Sequence, residues 1–257
     1  MIKLVCAVSR KETLTPDGFR DYWLNRHGPI VAGAARALKI RKYVQSHRVD
    51  HPANEALRAV RGMRAPLDGI AELWWDSLSD MLAAAATPEG AEAGRSVRED
   101  EENFVDFGRS SAFLTEEHPV FDRTGGAGLG PEAVKVTYLL ARKDGMSPAE
   151  CHATWLDDHG QMAAGFAEIS HLARYVQSHT IASEANEMLR ASRGFAPPLD
   201  GMTVIWLNSA SDLKRGVETA NGRAAAAALA EDERRFVQLD RSYCFITREH
   251  LIFDDAC

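Results

Sequence analysis

The chain of 257 residues has four cysteines, at positions 6, 151, 244 and 257, and no two stand in C-x-x-C spacing. So few thiols, so far apart, cannot build a disulfide framework or a thiol-based redox motif, and they read as free. Basic runs are missing as well. Lys+Arg 30 against Asp+Glu 37 leaves a formal charge of -7, so a nucleic-acid backbone or an anionic membrane surface would be repelled. Long apolar runs are also absent: the opening MIKLVCAVSRKE turns polar before it could serve as a signal-peptide core or a membrane span, and a cytoplasmic location is expected. The run Gly125-Gly126-Ala127-Gly128-Leu129-Gly130 has no βαβ crossover around it, so it is not a dinucleotide loop. What is present is ordinary for a packed globular chain: 45% hydrophobic and 26% charged residues, enough for one large domain or two of half the length.

The chain repeats itself. At an offset of 132 residues, Trp23-Leu24-x-x-His27-Gly28 returns as Trp155-Leu156-x-x-His159-Gly160, and Tyr43-Val44-Gln45-Ser46-His47 as Tyr175-Val176-Gln177-Ser178-His179. Pro66-Leu67-Asp68-Gly69 returns as Pro198-Leu199-Asp200-Gly201, Trp74 as Trp206, and Asp100-Glu101-x-x-Phe104 as Asp232-Glu233-x-x-Phe236. About 48 of the 120 pairs between residues 3–122 and 135–254 are identical, without a gap. The glycine-rich segment 123–132 has no apolar periodicity and reads as a linker between repeats 1–122 and 133–257.

Each repeat carries the same succession of elements. Short apolar runs at 3–9 and 135–141 suit a first strand. Thr15-Pro16 and Ser147-Pro148-Ala149-Glu150 are helix starts, the second a capping box, and a helix follows to about His27 and His159. Residues 41–49, 69–76 and 109–117 read as strands, the alanine-rich stretch and Glu99-Asp100-Glu101 as helix with a solvated acidic face, and 50–66 as a loop. The order βαββαβ is the ferredoxin-like α+β pattern, a four-stranded antiparallel sheet with helices on one face. Two such repeats would bury their open faces against each other, within one chain.

Alternation along the second strand puts Tyr43, Gln45 and His47 on one face and Val44 and Ser46 on the other. Small and apolar residues suit packing under helices, so the Tyr-x-Gln-x-His stripe, with its copy Tyr175, Gln177 and His179, is expected to point between the sheets. Trp74 and Trp206 are expected there too. Glu72 would join them, and its counterpart is Val204; a carboxylate among apolar residues could have a raised pKa suited to proton transfer. Each signal has a plainer reading: the tryptophans as core, the stripe as an interior hydrogen-bond network, His27 and His159 as helix-end caps, and Asp68 and Asp200 as turn residues. His152 and His159 are seven apart, but position 20, the counterpart of 152, is arginine, so no metal site is expected.

The Trp-x-x-x-His-Gly element, the Tyr-x-Gln-x-His strand and the Asp-Gly-Ile-Ala-Glu-Leu-Trp-x-Asp-Ser run of residues 68–77 together resemble the EthD family of the dimeric α+β barrel superfamily. Repeat 2 departs from the pattern: it lacks the glutamate of that run, and Gln161 replaces Pro29. The resemblance implies one barrel closed within the chain; a further homodimer of barrels is left open by the sequence. It also implies several chemistries. Cyclases, isomerases, decarboxylases and dehydratases of this superfamily need no cofactor, while other branches are oxygenases or bind haem. With no cofactor motif in the sequence, the expectation is a cofactor-independent lyase or isomerase acting on a bulky aromatic or polyketide-like molecule; a carrier of such a molecule and a haem-linked or monooxygenase enzyme are the alternatives. In the enzyme reading His47 or His179 removes a proton, Tyr43 or Tyr175 donates to a developing oxyanion, Gln45, Gln177 and Glu72 orient the substrate, and Trp74 and Trp206 stack on it. His27 and His159 are further acid/base candidates. Arg61 and Arg193, on the matched loops, either meet a substrate carboxylate or strap the barrel mouth.

Overall fold

A computed structural model describes residues 1–255. Cys257 lies outside the described residues, and Cys6, Cys151 and Cys244 are free thiols. Repeat 1 runs β1 (Ile2–Val8), α1 (Pro16–Tyr22), a π-helical turn (Trp23–His27), α2 (Gly28–Leu38), β2 (Lys42–Arg48), α3 (Ala53–Arg61), β3 (Gly69–Trp75), α4 (Leu78–Ala85), α5 (Pro88–Glu101) and β4 (Ser111–Asp122). Repeat 2 runs β5 (Val134–Leu140), α6 (Pro148–Ala153), a second π-helical turn (Thr154–His159), α7 (Gly160–Phe166), β6 (Arg174–Thr180), α8 (Glu184–Arg193), β7 (Gly201–Leu207), α9 (Ser211–Arg215), α10 (Ala220–Glu233) and β8 (Tyr243–Asp254). The helix starts are as their sequences foretell: the Thr15 side chain accepts from Gly18, and Ser147 and Glu150 form a reciprocal capping box. The segments expected as loops carry α3 and α8, each too short for its pattern to declare a helix. No helix among the described residues is long and apolar enough to cross a membrane.

All eight strands pair antiparallel in one closed barrel, in the order β1-β3-β2-β8-β5-β7-β6-β4. Closure depends on the last strand of each repeat being longer than its own sheet needs. Ser111 to Thr115 of β4 pair with β1, and Thr115 to Asp122 run on to pair with β6 of the other repeat. Strand β8 does the same with β5 and then β2. Both sheet edges that each repeat would expose alone are thereby paired.

The inside of the barrel is packed. Val5, Ala7, Ile70 and Phe113 meet Leu139, Met202, Val204 and Phe245 across it. An eight-stranded barrel has room for little more than its own side chains. Beneath that apolar layer lies an ionic one. Lys3 and Lys135 both reach Glu72, at 3.2 and 2.6 Å, and each also pairs with a glutamate near the rim, Glu117 or Glu249, at 2.8 Å. Ser46 donates to Glu72 at 3.4 Å, whereas the hydroxyl of its counterpart Ser178 has no partner, Val204 standing where an acceptor would be.

This interior corrects the expected strand faces. Val44 and Ser46 point inward, where Ser46 meets Glu72, and Tyr43, Gln45 and His47 point outward, under the helices, where Trp23 receives them, as Trp155 receives Tyr175, Gln177 and His179. Glu72 does face inward, but as one member of an ion cluster: burial alone would raise its pKa, and Lys135 and Lys3 instead bring it down to about 2. It is no proton donor near neutral pH.

Candidate active site between sheet and helices

Two equivalent spaces lie between the sheet and the helices of each repeat, and only one is open. The cavity of repeat 1 has a volume of about 350 Å³ and is walled mainly by apolar residues such as Leu4, Val31, Leu73, Trp75 and Val97. Its copy in repeat 2 is reduced to about 50 Å³. A larger cleft of about 500 Å³, between the linker and the barrel end, includes Trp206 but no histidine or tyrosine.

The polar groups of the open cavity are set by the π-helical turn and by α5. The turn carries Trp23 at its start and His27 at its end, both buried. Its wider winding leaves the Trp23 carbonyl free to accept a second bond, from Gln45 Nε2 at 2.9 Å, besides that from the Gly28 N–H. The Trp23 ring lies so close to β3 that a Cβ at Gly69 would come within 2.6 Å of it, which explains the glycine after Asp68.

His27 lines the cavity, and its Nδ1 is 2.7 Å from Asp100 Oδ2. Asp100 is also held by the Tyr22 hydroxyl, at 2.7 Å. Because a carboxylate only accepts, the Nδ1 of His27 carries a proton, so in the neutral ring the lone pair is on Nε2, which has no hydrogen-bond partner among the described residues. Tyr43 supplies a second functional group. Its hydroxyl oxygen accepts from Trp23 Nε1 at 3.2 Å and from Gln45 Nε2 at 2.9 Å, so its own proton has no acceptor among the described residues. Burial pushes its pKa up, so it remains a donor. Gln45 Oε1 in turn accepts from His47 Nε2 at 2.9 Å, and the His47 ring stacks on Trp23 with centroids 4.6 Å apart.

Other polar groups at the cavity are neutralised. Arg193 arrives from α8 of the other repeat and pairs with Glu101 at 2.7 Å. Cys6 is kept protonated, its pKa pushed up to about 12 by burial and by Glu101, against the pull of Arg193. A haem, one of the alternatives the family resemblance leaves open, fits poorly: its two propionates need cations, and among the described residues lining the cavity Arg193 is the only arginine or lysine and is already engaged by Glu101.

The predicted site residues therefore divide. His27, Tyr43 and Arg193 line the open cavity, and His159, Tyr175 and Arg61 line its closed copy. Gln45 and His47 stand behind Tyr43 as a hydrogen-bond chain, and Gln177 and His179 stand behind Tyr175 in the same way, at 2.9 and 2.8 Å. Neither His47 nor His179 lines either of these two cavities, and burial lowers the pKa of each to about 3, so neither is placed to take a proton from a substrate there. Trp74 and Trp206 do not stack on a cavity ligand. They lie on the barrel side, with their indole N–H groups on Glu117 and Glu249, both at 3.0 Å. Arg61 pairs with Glu233 across the repeats, as Arg193 does with Glu101, so both arginines are straps and cavity walls at once.

Asp100 and Glu101, expected on a solvated helix face, turn inward instead. The signal for them was in the duplication: an Asp-Glu pair returns 73 residues after the histidine in both repeats. Asp68 and Asp200 are turn residues, paired with Arg10 and Arg142. No group of three or more histidine, cysteine or acidic residues among the described residues could hold a metal ion.

The molecule is thus a tandem α+β barrel with one open, histidine-bearing cavity. It belongs to the EthD family: the EthD domain matches twice, over residues 11–108 and 143–240. No curated protein matches the chain. Among solved structures, an anthrone oxidase-like protein shares the fold with a TM-score of 0.59 and 12% identity, over 100% of this chain and 94% of that one. An ethyl tert-butyl ether D (EthD) family protein from Bacillus halodurans C-125 covers 46% of this chain with 99% of its own, at 17% identity and a TM-score of 0.32. A dye-decolorizing peroxidase from Bacteroides thetaiotaomicron VPI-5482 aligns at 10% identity, with a TM-score of 0.49, over 95% of this chain and 92% of its own. At these identities the likeness is one of fold.

Proposed function

We propose that the cavity of repeat 1 is the active site of an acid/base enzyme of lyase or isomerase type, acting on an apolar, ring-bearing small molecule. One observation carries this reading: His27, paired with Asp100 through Nδ1, lines an apolar cavity and has no partner for Nε2 among the described residues. In this reading Nε2 removes a proton from a carbon beside a carbonyl, and Asp100 stabilises the imidazolium that forms. Tyr43 donates its proton to a hydrogen bond with the substrate oxygen as negative charge builds there, positioned by Trp23 and Gln45. His27 then returns the proton to a different atom, giving isomerisation, or to a departing group, giving elimination. Cys6 stays a neutral wall.

The test is exchange of a substrate carbon-bound proton for solvent deuterium. Incubated in D₂O with 2-tetralone or anthrone as probes, the protein is expected to accelerate exchange, and His27→Gln to abolish the acceleration. Exchange that is unchanged in His27→Gln, or absent altogether while the probe binds, sinks the catalytic reading and leaves a carrier. A second reading, oxidation of the deprotonated substrate by dioxygen, takes its support from the fold of the anthrone oxidase-like neighbour. Oxygen uptake recorded in the same assay separates it from the first.

A further inference from the structure

Repeat 2 fills its own copy of the cavity with an aromatic ring. Tyr138 stands where repeat 1 has Cys6, in the same register: Tyr138 opposite Thr203 of β7, Cys6 opposite Ala71 of β3. It is buried, and it takes up space that is open in repeat 1. The surroundings receive the ring specifically. The Arg61 guanidinium lies over it, 5.3 Å from the ring centroid, and is anchored by Glu233 at 2.6 and 3.0 Å. Phe236 completes the wall.

Each of these receiving groups has its counterpart at the open cavity: Arg193 for Arg61, Glu101 for Glu233 and Phe104 for Phe236. The anchoring is also repeated, Arg193 Nε donating to Glu101 at 2.7 Å. The open cavity therefore has the groups that receive a ring in repeat 2 but no ring of its own. A guanidinium is flat, weakly hydrated and attracted to the face of an aromatic ring, and this attraction grows when water is excluded. A saturated ring of the same size offers it nothing comparable.

We propose that the cavity of repeat 1 binds a planar aromatic ring where Tyr138 sits in repeat 2, and that Arg193, lying over its face, selects aromatic over saturated rings. This deepens the functional reading above and rests on the same cavity, but it does not depend on His27.

The probes are p-cresol, which is the tyrosine side chain as a free molecule, and 4-methylcyclohexanol, its saturated analogue, each titrated calorimetrically into the full chain. The expected result is one bound equivalent, with p-cresol about fivefold tighter, the size of a typical partly desolvated cation–π contact. Arg193→Met combined with Glu101→Gln, which removes both charges together, is expected to bring the ratio near one. Tyr138→Ala is expected to raise the stoichiometry for p-cresol from one to two. A ratio near one in the unmodified protein, an undiminished preference in the double variant, or no second site in Tyr138→Ala would each overturn the proposal. The first and third measurements still decide if the double variant does not fold. His27→Gln is expected to keep the ring preference, so failure of the proton-exchange assay and failure of ring selection are read separately.

Discussion

The two spaces under the helices share their tryptophan, tyrosine, glutamine, histidines and strap arginine, yet differ about sevenfold in volume, about 350 against 50 Å³. The difference comes from wall residues. Tyr138 replaces Cys6 and Thr203 replaces Ala71, on neighbouring strands in one register row. The histidine dyads have diverged too. Asp100 is shared between His27 and the neutral Tyr22, whereas Asp232 is shared between His159, at 3.0 Å, and the Arg235 cation, at 2.7 Å. A duplicated frame can thus retain a site's polar residues and still lose the site, because access is a property of volume and those residues set only orientation.

The sharpest way to break this comparison is to treat the two dyads alike. His27→Gln is expected to lower proton exchange by roughly 10²- to 10⁴-fold, the usual worth of a positioned acid or base, and His159→Gln to leave it within about twofold. Equal losses would show that both repeats work. Cys6→Tyr builds the repeat 2 wall into repeat 1, and should cut exchange at least about 10²-fold while the thermal midpoint holds or rises, since the ring fills an existing void. A variant that keeps its activity would place the chemistry elsewhere.

Glu72→Gln tests the other asymmetry, inside the barrel. Removing the shared carboxylate leaves two buried lysines facing each other and should cost about 3 kcal/mol in denaturant unfolding, with activity affected only through stability. The pH dependence has a definite sign. Glu72 is depressed from 4.5 to about 2, so its contribution is complete above pH 4.5 and is lost as the pH falls through 2. His47 and His179 are depressed from 6.5 to about 3, so protonation of the unfolded chain begins to erode stability at higher pH, below 6.5. Stability should therefore decline in two stages on acidification, and His47→Phe should flatten the upper one. Smallest is the serine pair: Ser178→Ala should be neutral or slightly stabilising, because its hydroxyl is buried without a partner, while Ser46→Ala should cost up to about 1 kcal/mol.

Much of this was legible in the chain. The duplication and the order of elements led to the barrel, and the matched residues included His27, Tyr43 and Arg193, which do meet at the cavity. What misled was the face of β2. Alternation groups Tyr43 with Gln45 and His47 but does not say which way the group points. The assumption that small residues face helices fails here because the partners lie the other way: the Trp23 ring and carbonyl under the helices take Tyr43, Gln45 and His47, and Glu72 inside the barrel takes Ser46. Trp74 and Glu72 do face inward as expected, and the error there was to take the barrel interior for the substrate space. Asp100 and Glu101 were misread because acidic residues on a helix are usually solvated, and only the other repeat and the π-helical turn supply their partners.

The sequence by itself determined the repeat, the strand alternation and the residue types available for chemistry, since these follow from periodicity and identity along one chain. Only the tertiary structure decided which side of each strand is inside, that β4 and β8 run on to seal the opposite sheet, that α3 and α8 each wall the other repeat's cavity, and that Tyr138 closes one of the two. Those are contacts between residues on average far apart in the chain, fixed by the volume left when two sheets close on each other, and no local pattern encodes that volume.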